Sequence, residues 1–340
     1  MTPARKLSEL PKETRLRDFE ILSTLGGGRN SLVYQAYDHL LGLPVVIKEY
    51  LPAGIVCRLD SWRVGILPGK SEQFKQGLER FVVEAHNMTK IRHPVFRDAL
   101  QRFVENNTTY IVMPYYEGKT LRKMVRDGWK TKDLGDLLAI ILPIISGIYL
   151  LHSEGCCHCD ISPNNVLIRN DGSPILLDFG AVQRQGKAPK YRHITDLAAG
   201  FAAKEQYEDG GELGAWTDIY GISALTYYIV TGTIPDQPMS RVTFDPLKAL
   251  ANFSTVDLPA CVLEVFDKGL AVEPQDRFNT IGIFAKALES AAQKTLSQSS
   301  ESFFRKVLSL DSNFSELSSE QRSILQYAAE LRRQFRTANI

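Results

Sequence analysis

The chain has 340 residues, with 40 lysines and arginines against 39 aspartates and glutamates, so its formal net charge is only +1. This balance gives no overall electrostatic attraction to nucleic acid or to an anionic membrane surface. Apolar residues make up 44% and charged residues 23% of the chain, which is typical of a globular protein with one large domain or two lobes.

Cysteine usage and hydropathy favour a cytoplasmic protein without a membrane span. Five cysteines, an odd number in a chain of this length, do not suggest a disulfide framework and indicate a reducing compartment. Residues 1–20 carry no targeting signal. The most apolar segment, Leu137–Leu151, is short for a bilayer span and contains Pro143, so we expect a buried helix there.

The first elements surround a glycine-rich turn. Residues 1–18 are polar and are expected to be flexible. Phe19–Leu25 is predicted to be a strand that leads into Gly26 and Gly28. Because glycine has no Cβ atom, backbone N–H groups at these positions can approach phosphate oxygens. An ordinary turn between two strands is the alternative interpretation.

The next segments predict a strand, an insertion and a helix. Pro44–Tyr50 is a strand containing Lys48, which by itself suggests a surface lysine with a packed aliphatic stem. Residues 52–70 predict a loop or a small hairpin. Apolar residues recur at helical spacing from Ser71 to Ile91, and Glu84 in that helix would ordinarily be a solvated charge.

A strand, a connecting segment and two helices follow. Tyr110–Met113 is predicted to be a strand and Pro114–Gly118 a connecting segment. Thr120–Arg126 predicts a short helix, and Asp133–Ser153 predicts a long apolar helix that Gly155 would end.

The most informative segment is His158–Gly180. Two short apolar runs joined by an Asn-Asp-Gly turn predict a β-hairpin. Asp160 and Asn165 lie at its entrance and Asp178 at its exit. Mg²⁺ prefers a few hard oxygen ligands together with substrate phosphates, so these three side chains suit metal and phosphate chemistry.

Downstream, Ala181–Glu205 has no apolar periodicity and predicts a solvated loop. Three further helices are predicted, at Trp216–Thr231, Leu258–Leu270 and Asn279–Ala292. The Ser/Gln-rich residues 293–300 predict a linker. Amphipathic helices are then predicted at 303–308 and 319–336, where they pack back on the preceding domain or bind a partner.

Taken in order, these segments resemble the motifs of protein kinases. The closest similarity is to the bacterial relatives of eukaryotic serine/threonine protein kinases, over about residues 19–290. The resemblance implies an α+β, two-lobed protein-kinase-like fold with a β-rich N-lobe and a helical C-lobe. The implied segments are a flexible N-terminus at 1–18, an N-lobe at 19–113, a hinge at 114–118, a C-lobe at 119–292, and a linker with a helical extension at 293–340.

The resemblance also implies a phosphotransferase that uses ATP with Mg²⁺ or Mn²⁺ and acts on serine or threonine hydroxyls of an unidentified protein. Lys48, oriented by Glu84, would hold phosphates, and Asp160 would take the proton of the acceptor hydroxyl. Asn165 and Asp178 would hold the metal. The remaining nucleotide contacts would come from Gly26, Gly28, Val33, Val46, Met113, Tyr115 and Tyr116.

Two further features of the family are matched in the carboxyl-terminal half. Asp218 corresponds to the aspartate that braces the catalytic-loop backbone. Glu205 and Arg277 correspond to the pair that anchors the end of the activation segment.

Several positions depart from the family pattern. Cys159 replaces the arginine before the catalytic aspartate, and Ser162 replaces the lysine two residues after it. The other departures are Ser31, where the pattern has its third glycine, Ala198, where it has a threonine, and Lys204, where it has a proline. A pseudokinase that serves as a scaffold, or a kinase with a non-standard acceptor, are therefore the alternatives to an active protein kinase.

The cysteines near the catalytic loop raise two subsidiary questions. The run from Cys156 to Cys159 lacks two separated ligand pairs, which disfavours structural zinc. A redox role for Cys159 is a hypothesis that rests on its position beside Asp160. Tyr191 and Thr195 are the candidate phosphorylation sites, and we expect them to matter little because Cys159 replaces the arginine that would receive the phosphate.

Overall fold

The computed structural model describes residues 9–59, 62–91, 93–187, 197–253 and 258–295, without the side chains of 86–90, 187 and 293–295. The chain divides into two compact units. The amino-terminal unit comprises Met1–Arg92 and Phe96–Tyr116, and the carboxyl-terminal unit comprises His93–Val95 and Glu117–Ile340. The division at 116–117 falls within the predicted hinge, although the predicted domain boundaries themselves stay predictions.

The amino-terminal unit is built on one antiparallel sheet of six strands in the order β1-β2-β3-β4-β8-β7. A separate hairpin, β5–β6, and one helix, α1, complete its described part. The elements are β1 (Arg15–Leu16), β2 (Phe19–Gly27), β3 (Ser31–Asp38), β4 (Leu43–Tyr50), β5 (Val56–Arg58), β6 (Val64–Ile66), α1 (Ser71–Lys90), β7 (Gln101–Glu105) and β8 (Thr108–Pro114).

The sheet separates two kinds of residue because successive side chains of a strand point to opposite faces. On one face, Lys48 of β4 lies opposite Val33 of β3, and Val46 lies opposite Met113 of β8. The other face carries the apolar core of the unit. That core consists of Leu10, Leu16, Phe19, Ile21, Tyr34, Ala36, Val45, Ile47, Phe103, Tyr110 and Val112.

Residues 9–18 differ from the flexible segment that we predicted. Leu10 is 3% exposed and Leu16 is fully buried, both in the core on the sheet face just described. The backbone N–H of Leu10 donates to the Tyr34 hydroxyl at 3.3 Å, and β1 pairs with β2. Two isolated leucines in a polar segment give no periodic signal, so only the tertiary contact shows that they are covered.

The predicted hairpin in residues 52–70 is confirmed as β5–β6. Arg58 at the end of β5 donates to both carboxylate oxygens of Glu49 in β4, at 2.7 Å each. The hydroxyls of Tyr34 and Tyr110 also donate to Glu49, at 2.9 and 2.8 Å. A fully buried carboxylate is therefore satisfied by four donors, and this network joins the hairpin to the sheet.

The carboxyl-terminal unit is mainly helical. Its strands form small sheets: β12-β11-β9, β10-β13 and β14-β15. The strands are β9 (Gly118–Thr120), β10 (Cys156–Cys157), β11 (Val166–Arg169), β12 (Pro174–Leu176), β13 (Gln183–Arg184), β14 (Gly186–Lys187) and β15 (Glu212–Leu213). The α-helices are α2 (Leu121–Arg126), α3 (Leu134–Ser153), α4 (Ala215–Thr231), α5 (Pro238–Arg241), α6 (Ala260–Gly269) and α7 (Ile281–Thr295), with short 3₁₀ turns at 204–206, 250–252 and 274–276.

Helix α3 is the predicted apolar helix. The Asp133 side chain accepts from the Asp136 N–H at 2.9 Å and caps the first turn, and Gly155 follows the last turn with a φ of +71°. Within the described residues α3 is the single helix long and apolar enough to cross a membrane, yet 61% of its most apolar window is buried inside the protein. That burial is what a core helix requires.

The last described helix, α7, reaches Thr295 and so extends three residues beyond the predicted end at Ala292. The predicted linker therefore does not begin at residue 293. The amphipathic segments predicted at 303–308 and 319–336 lie outside the described residues.

Candidate active site

In the amino-terminal unit, the Nζ atom of Lys48 lies 2.6 Å from Oε1 of Glu84. Both residues are 7% exposed, and the ammonium lies 5.8 Å from the centre of the Phe81 ring. Lys48 belongs to β4 and Glu84 to α1, so the pair joins sheet and helix. Glu84 is therefore not a solvated charge. It forms a buried ion pair that fixes the direction of the Lys48 side chain.

Three of the other predicted nucleotide-contacting residues of this unit, Val33, Val46 and Met113, share the sheet face of Lys48. Val46 and Met113 are 1% and 2% exposed, whereas Val33 is half-buried. Tyr115 and Tyr116 follow β8 and are half-buried, and Arg97 lies 5.9 Å above the Tyr116 ring. That sheet face thus presents the apolar side chains of Val46 and Met113 beside the Lys48 ammonium.

Backbone hydrogen bonds, both within the turn and from the segment after β4, hold the glycine-rich turn. Gly26 has a φ of +152°, which favours glycine, and a Cβ on Gly27 would lie 2.6 Å from the Leu32 side chain. The N–H of Gly28, which we expected to approach a phosphate, donates to the Ser31 carbonyl at 2.9 Å. The residues between Gly28 and Ser31 accept from the segment after β4: Asn30 from Leu51 and Arg29 from Ala53.

In the carboxyl-terminal unit, the predicted hairpin around the catalytic loop is confirmed as β11–β12. Asn165 lies immediately before β11, and its amide nitrogen donates to the carboxylate of Asp160 at 2.7 Å and to the Asp160 carbonyl at 3.2 Å. The Leu177 N–H donates to the Asn165 carbonyl and closes the base of the hairpin. The structure therefore brings Asp160 and Asn165 together as the sequence predicted.

Asp178 leaves the hairpin two residues after β12. Its Oδ1 accepts from the Gly180 N–H at 2.8 Å, which shapes the turn that follows. Phe179 is 1% exposed, and its ring packs edge-on against His158 with 5.7 Å between ring centres. Burial of Phe179 thus fixes the short segment that carries Asp178.

Asp218, at the start of α4, braces the catalytic-loop backbone. It is 1% exposed and accepts from the N–H groups of His158 and Cys159 and from Nε2 of His152, each at 2.8 Å. Burial alone would raise the pKa of Asp218, but these hydrogen bonds and the nearby imidazoles outweigh it and hold the pKa below its ordinary value. The carboxylate therefore stays ionised and fixes the loop.

The end of the predicted activation segment is anchored through Glu205. Arg277 donates to both Glu205 oxygens, at 2.9 and 3.2 Å, and the Thr217 hydroxyl donates to Oε1 at 2.8 Å. The Arg277 side chain is fully buried and that of Glu205 is 3% exposed. The pairing implied by the family resemblance is thus observed, and Thr217 adds a further hydrogen bond that we did not predict.

A family model described as the protein kinase domain matches residues 19–314 of the chain. The chain belongs to the protein kinase family. It is an enzyme of the protein kinase type. Its fold, in which a unit built on a β-sheet precedes a mainly helical unit, agrees with that family.

Named relatives are bacterial serine/threonine kinases. PknL of Mycobacterium tuberculosis is 27% identical over 294 residues, which cover 84% of this chain and 68% of PknL. PrkC of Bacillus subtilis is 27% identical over 268 residues, which cover 77% of this chain and 38% of PrkC. A solved structure described as the PpkA-294 apo form is 32% identical, covers 82% of this chain and 99% of its own, and has a TM-score of 0.72.

Lys204, one of the residues that we expect to depart from the kinase pattern, forms a local ion pair. Its Nζ lies 2.6 Å from Glu273 and 3.6 Å from Glu208. Ser162 is 3% exposed, so it is packed into the loop. Tyr191 and Thr195, the candidate phosphorylation sites of this kinase, lie outside the described residues.

The cysteines of the kinase are all free thiols. A hydrogen bond to Cys159, together with burial, raises the pKa of Cys157 far above its ordinary value, so its sulfur is a poor nucleophile. Ligand atoms of His152, Cys157 and Asp218 lie within 4.8 Å of one another. Both oxygens of Asp218 already accept hydrogen bonds, so this cluster is part of the loop brace and does not support a metal site.

Sequence reasoning missed one buried polar residue beside the catalytic loop. Gln206 is 4% exposed, and its amide nitrogen donates to the Cys159 carbonyl at 2.9 Å. The only sequence signal was its place next to Glu205, because the two bonded residues are 47 positions apart.

Proposed function

We propose that the kinase transfers the γ-phosphoryl group of ATP to serine or threonine hydroxyls of a protein substrate, with Mg²⁺ or Mn²⁺ as the metal. The observation that carries this proposal is that both polar pairs expected of an active kinase are formed. Lys48 is paired with Glu84, and Asn165 is bonded to Asp160. The names of the bacterial relatives support serine and threonine as acceptors.

Lys48 supplies the positive charge for the nucleotide phosphates. Lys48 is 7% exposed, and the 2.6 Å contact with Glu84 limits the directions its ammonium can take. A charge that is already oriented needs little reorganisation when the transition state forms, which is where electrostatic catalysis gains most. Val46 and Met113 supply an apolar surface for the base on the same sheet face.

Asp160 positions the acceptor hydroxyl and receives its proton. The Asn165 amide nitrogen holds the Asp160 carboxylate at 2.7 Å, so the carboxylate has a defined orientation. Most of the rate enhancement in phosphoryl transfer comes from alignment and charge neutralisation. Ser162 offers no positive charge where the family pattern has a lysine, and we therefore expect a slower enzyme.

The donor set in the carboxyl-terminal unit fits a hard divalent cation. Because the amide nitrogen of Asn165 donates to Asp160, its amide oxygen would be the atom that holds a metal, together with the carboxylate of Asp178. Bound Mg²⁺ would neutralise charge on the phosphates. The residues themselves hold the loop and the hairpin in place.

The decisive experiment incubates the purified chain with radiolabelled ATP, Mg²⁺ and the general acceptors casein and myelin basic protein. The variants are Asp160→Asn, Asp178→Ala and Lys48→Met, and Lys119→Met is the control because its side chain is 58% exposed. We expect label on serine or threonine with the wild type and Lys119→Met, and loss of label in the other three.

A scaffold would give a different result. No label on the chain or on either acceptor, together with an ATP-dependent increase in melting temperature, would contradict transfer and favour a nucleotide-binding pseudokinase. Label on a non-protein acceptor or on tyrosine would contradict the serine/threonine assignment alone.

The cytoplasmic location, supported by five free thiols, is part of the same proposal.

A further inference from the structure

The residue that precedes Asp160 has a backbone conformation that is unfavourable for residues other than glycine. Cys159 has a φ of +63°, in the left-handed region, although it is not glycine. Such a conformation persists only where the surroundings enforce it, and it is found most often at functional sites.

Two buried side chains hold the two ends of residue 159. Its N–H donates to Oδ1 of Asp218 at 2.8 Å, and its carbonyl accepts from Nε2 of Gln206 at 2.9 Å. Asp218 is the brace already described. Gln206 is a second brace, which binds the carbonyl end of residue 159.

The amide of Gln206 is itself fixed. Its oxygen accepts from the Ala203 N–H at 2.9 Å, and its backbone N–H donates to the Ala203 carbonyl at 3.0 Å. The turn that carries Gln206 also contains Glu205, which is anchored by Arg277. The donor aimed at residue 159 is therefore held by a turn that an ion pair keeps in place.

We propose that Gln206 is a positioning residue for Asp160. By binding the Cys159 carbonyl, Gln206 keeps Cys159 in its left-handed conformation. It thereby sets the direction in which the Asp160 side chain leaves the backbone. The link joins the catalytic loop to residues 203–206 through a neutral amide, with no phosphate involved. This inference rests on the proposed role of Asp160 in phosphoryl transfer.

The physical consequence is a loss of alignment when the amide is removed. Rotation of the 159–160 peptide moves the Asp160 carboxylate relative to Asn165, which holds it at 2.7 Å. A displacement of about 1 Å in a catalytic group can cost about 10²-fold in rate. Because Gln206 does not belong to the amino-terminal unit that carries Lys48, binding of ATP is expected to change little.

The test compares Gln206→Glu, Gln206→Ala and the control Gln237→Ala, an exposed glutamine of the same unit. Glutamate keeps the acceptor for Ala203 but loses the donor to Cys159, so it separates the two hydrogen bonds of the amide. We expect kcat to fall about tenfold or more in both Gln206 variants, with the KM for ATP within about twofold of the wild type. Gln237→Ala should match the wild type.

A second substitution distinguishes positioning from a general loss of structure. Glycine adopts a positive φ without steric cost, so Cys159→Gly should lower the need for the brace. We expect the double variant Gln206→Ala/Cys159→Gly to recover about threefold or more of the kcat lost in Gln206→Ala. An unchanged kcat in Gln206→Glu, or no recovery in the double variant, would overturn the proposal.

Amide hydrogen exchange of the peptide containing residues 158–161 gives a readout that does not depend on activity. Loss of the Gln206 brace should speed exchange there by about tenfold or more, while peptides of α6 are unaffected. If the wild type transfers no phosphate, the proposed function fails, but the exchange experiment still decides the role of Gln206. Exchange in Gln206→Ala equal to that of the wild type would reject it.

Discussion

Arg58 and Glu49 form a bidentate ion pair with two hydrogen bonds of 2.7 Å, and their side chains are 2% and 0% exposed. The pair lies on the sheet face opposite Lys48, although Glu49 is the next residue in the strand. The pair therefore stabilises the amino-terminal unit, whereas Lys48 is part of the candidate active site.

The first prediction concerns that stability. Arg58→Met should lower the free energy of unfolding by about 3–5 kcal/mol, because the Glu49 carboxylate would remain buried without its partner. The double variant Arg58→Met/Glu49→Gln should lose less. Urea denaturation measures both.

The control for this prediction is the surface pair of Lys119 and Asp127, whose atoms lie 3.6 Å apart on side chains 58% and 42% exposed. Lys119→Met should change the free energy of unfolding by less than about 1 kcal/mol. Equal losses at the two sites would show that the buried pair has no special role.

The second prediction concerns the pair that orients the catalytic lysine. Glu84→Gln should slow phosphoryl transfer by about 10²-fold, because Lys48 loses the charge that directs its ammonium. Glu79→Gln is the matched control, since Glu79 lies in the same helix on an exposed position. Transfer at the wild-type rate in Glu84→Gln would contradict the role of this pair.

The third prediction concerns the loop brace. Asp218→Asn removes the ionised acceptor shared by His152 and the N–H groups of His158 and Cys159, so both kcat and the melting temperature should fall. The exposed Asp236→Asn should leave both unchanged. A variant with normal kcat and a lower melting temperature would limit Asp218 to a structural role.

The fourth prediction concerns pH. His158 is fully buried, and burial lowers its pKa below the ordinary value of 6.5. Below about pH 6.5 the unfolded chain therefore binds a proton at His158 that the folded chain excludes. The contribution of neutral His158 to the free energy of unfolding is fully present above pH 6.5 and declines as the pH falls.

Denaturation between pH 7.5 and pH 5 measures this decline. His158→Gln should reduce its slope, by at most about 1.4 kcal/mol per pH unit for one proton. The exposed Gln237→Ala, which changes no titratable group, should keep the wild-type slope. An identical pH dependence in His158→Gln would show that other groups control acid stability.

The sequence alone was sufficient wherever a local pattern coincides with a contact. The Asn-Asp-Gly turn predicted the hairpin that joins Asn165 to Asp178, and helical spacing placed Glu84 on α1. The family resemblance then supplied the pairing with Lys48.

The contacts that were missed join distant segments through residues of ordinary type. Leu10 is buried in the core that contains Tyr34 of β3, and Gln206 bonds to a carbonyl 47 positions earlier. A glutamine in a turn, or a leucine in a polar tail, has no periodicity or composition that distinguishes it. Only the tertiary structure shows what each one meets.

The alternation of β4 sets a limit on how the gene can change. Val46 and Lys48 point to one side of the sheet, and Val45, Ile47 and Glu49 to the other. Loss or gain of a single codon here would exchange the two sets and place an ammonium among aromatic rings. Insertions and deletions among descendants should accumulate in turns such as 39–42, whereas the number of residues in β4 should stay constant.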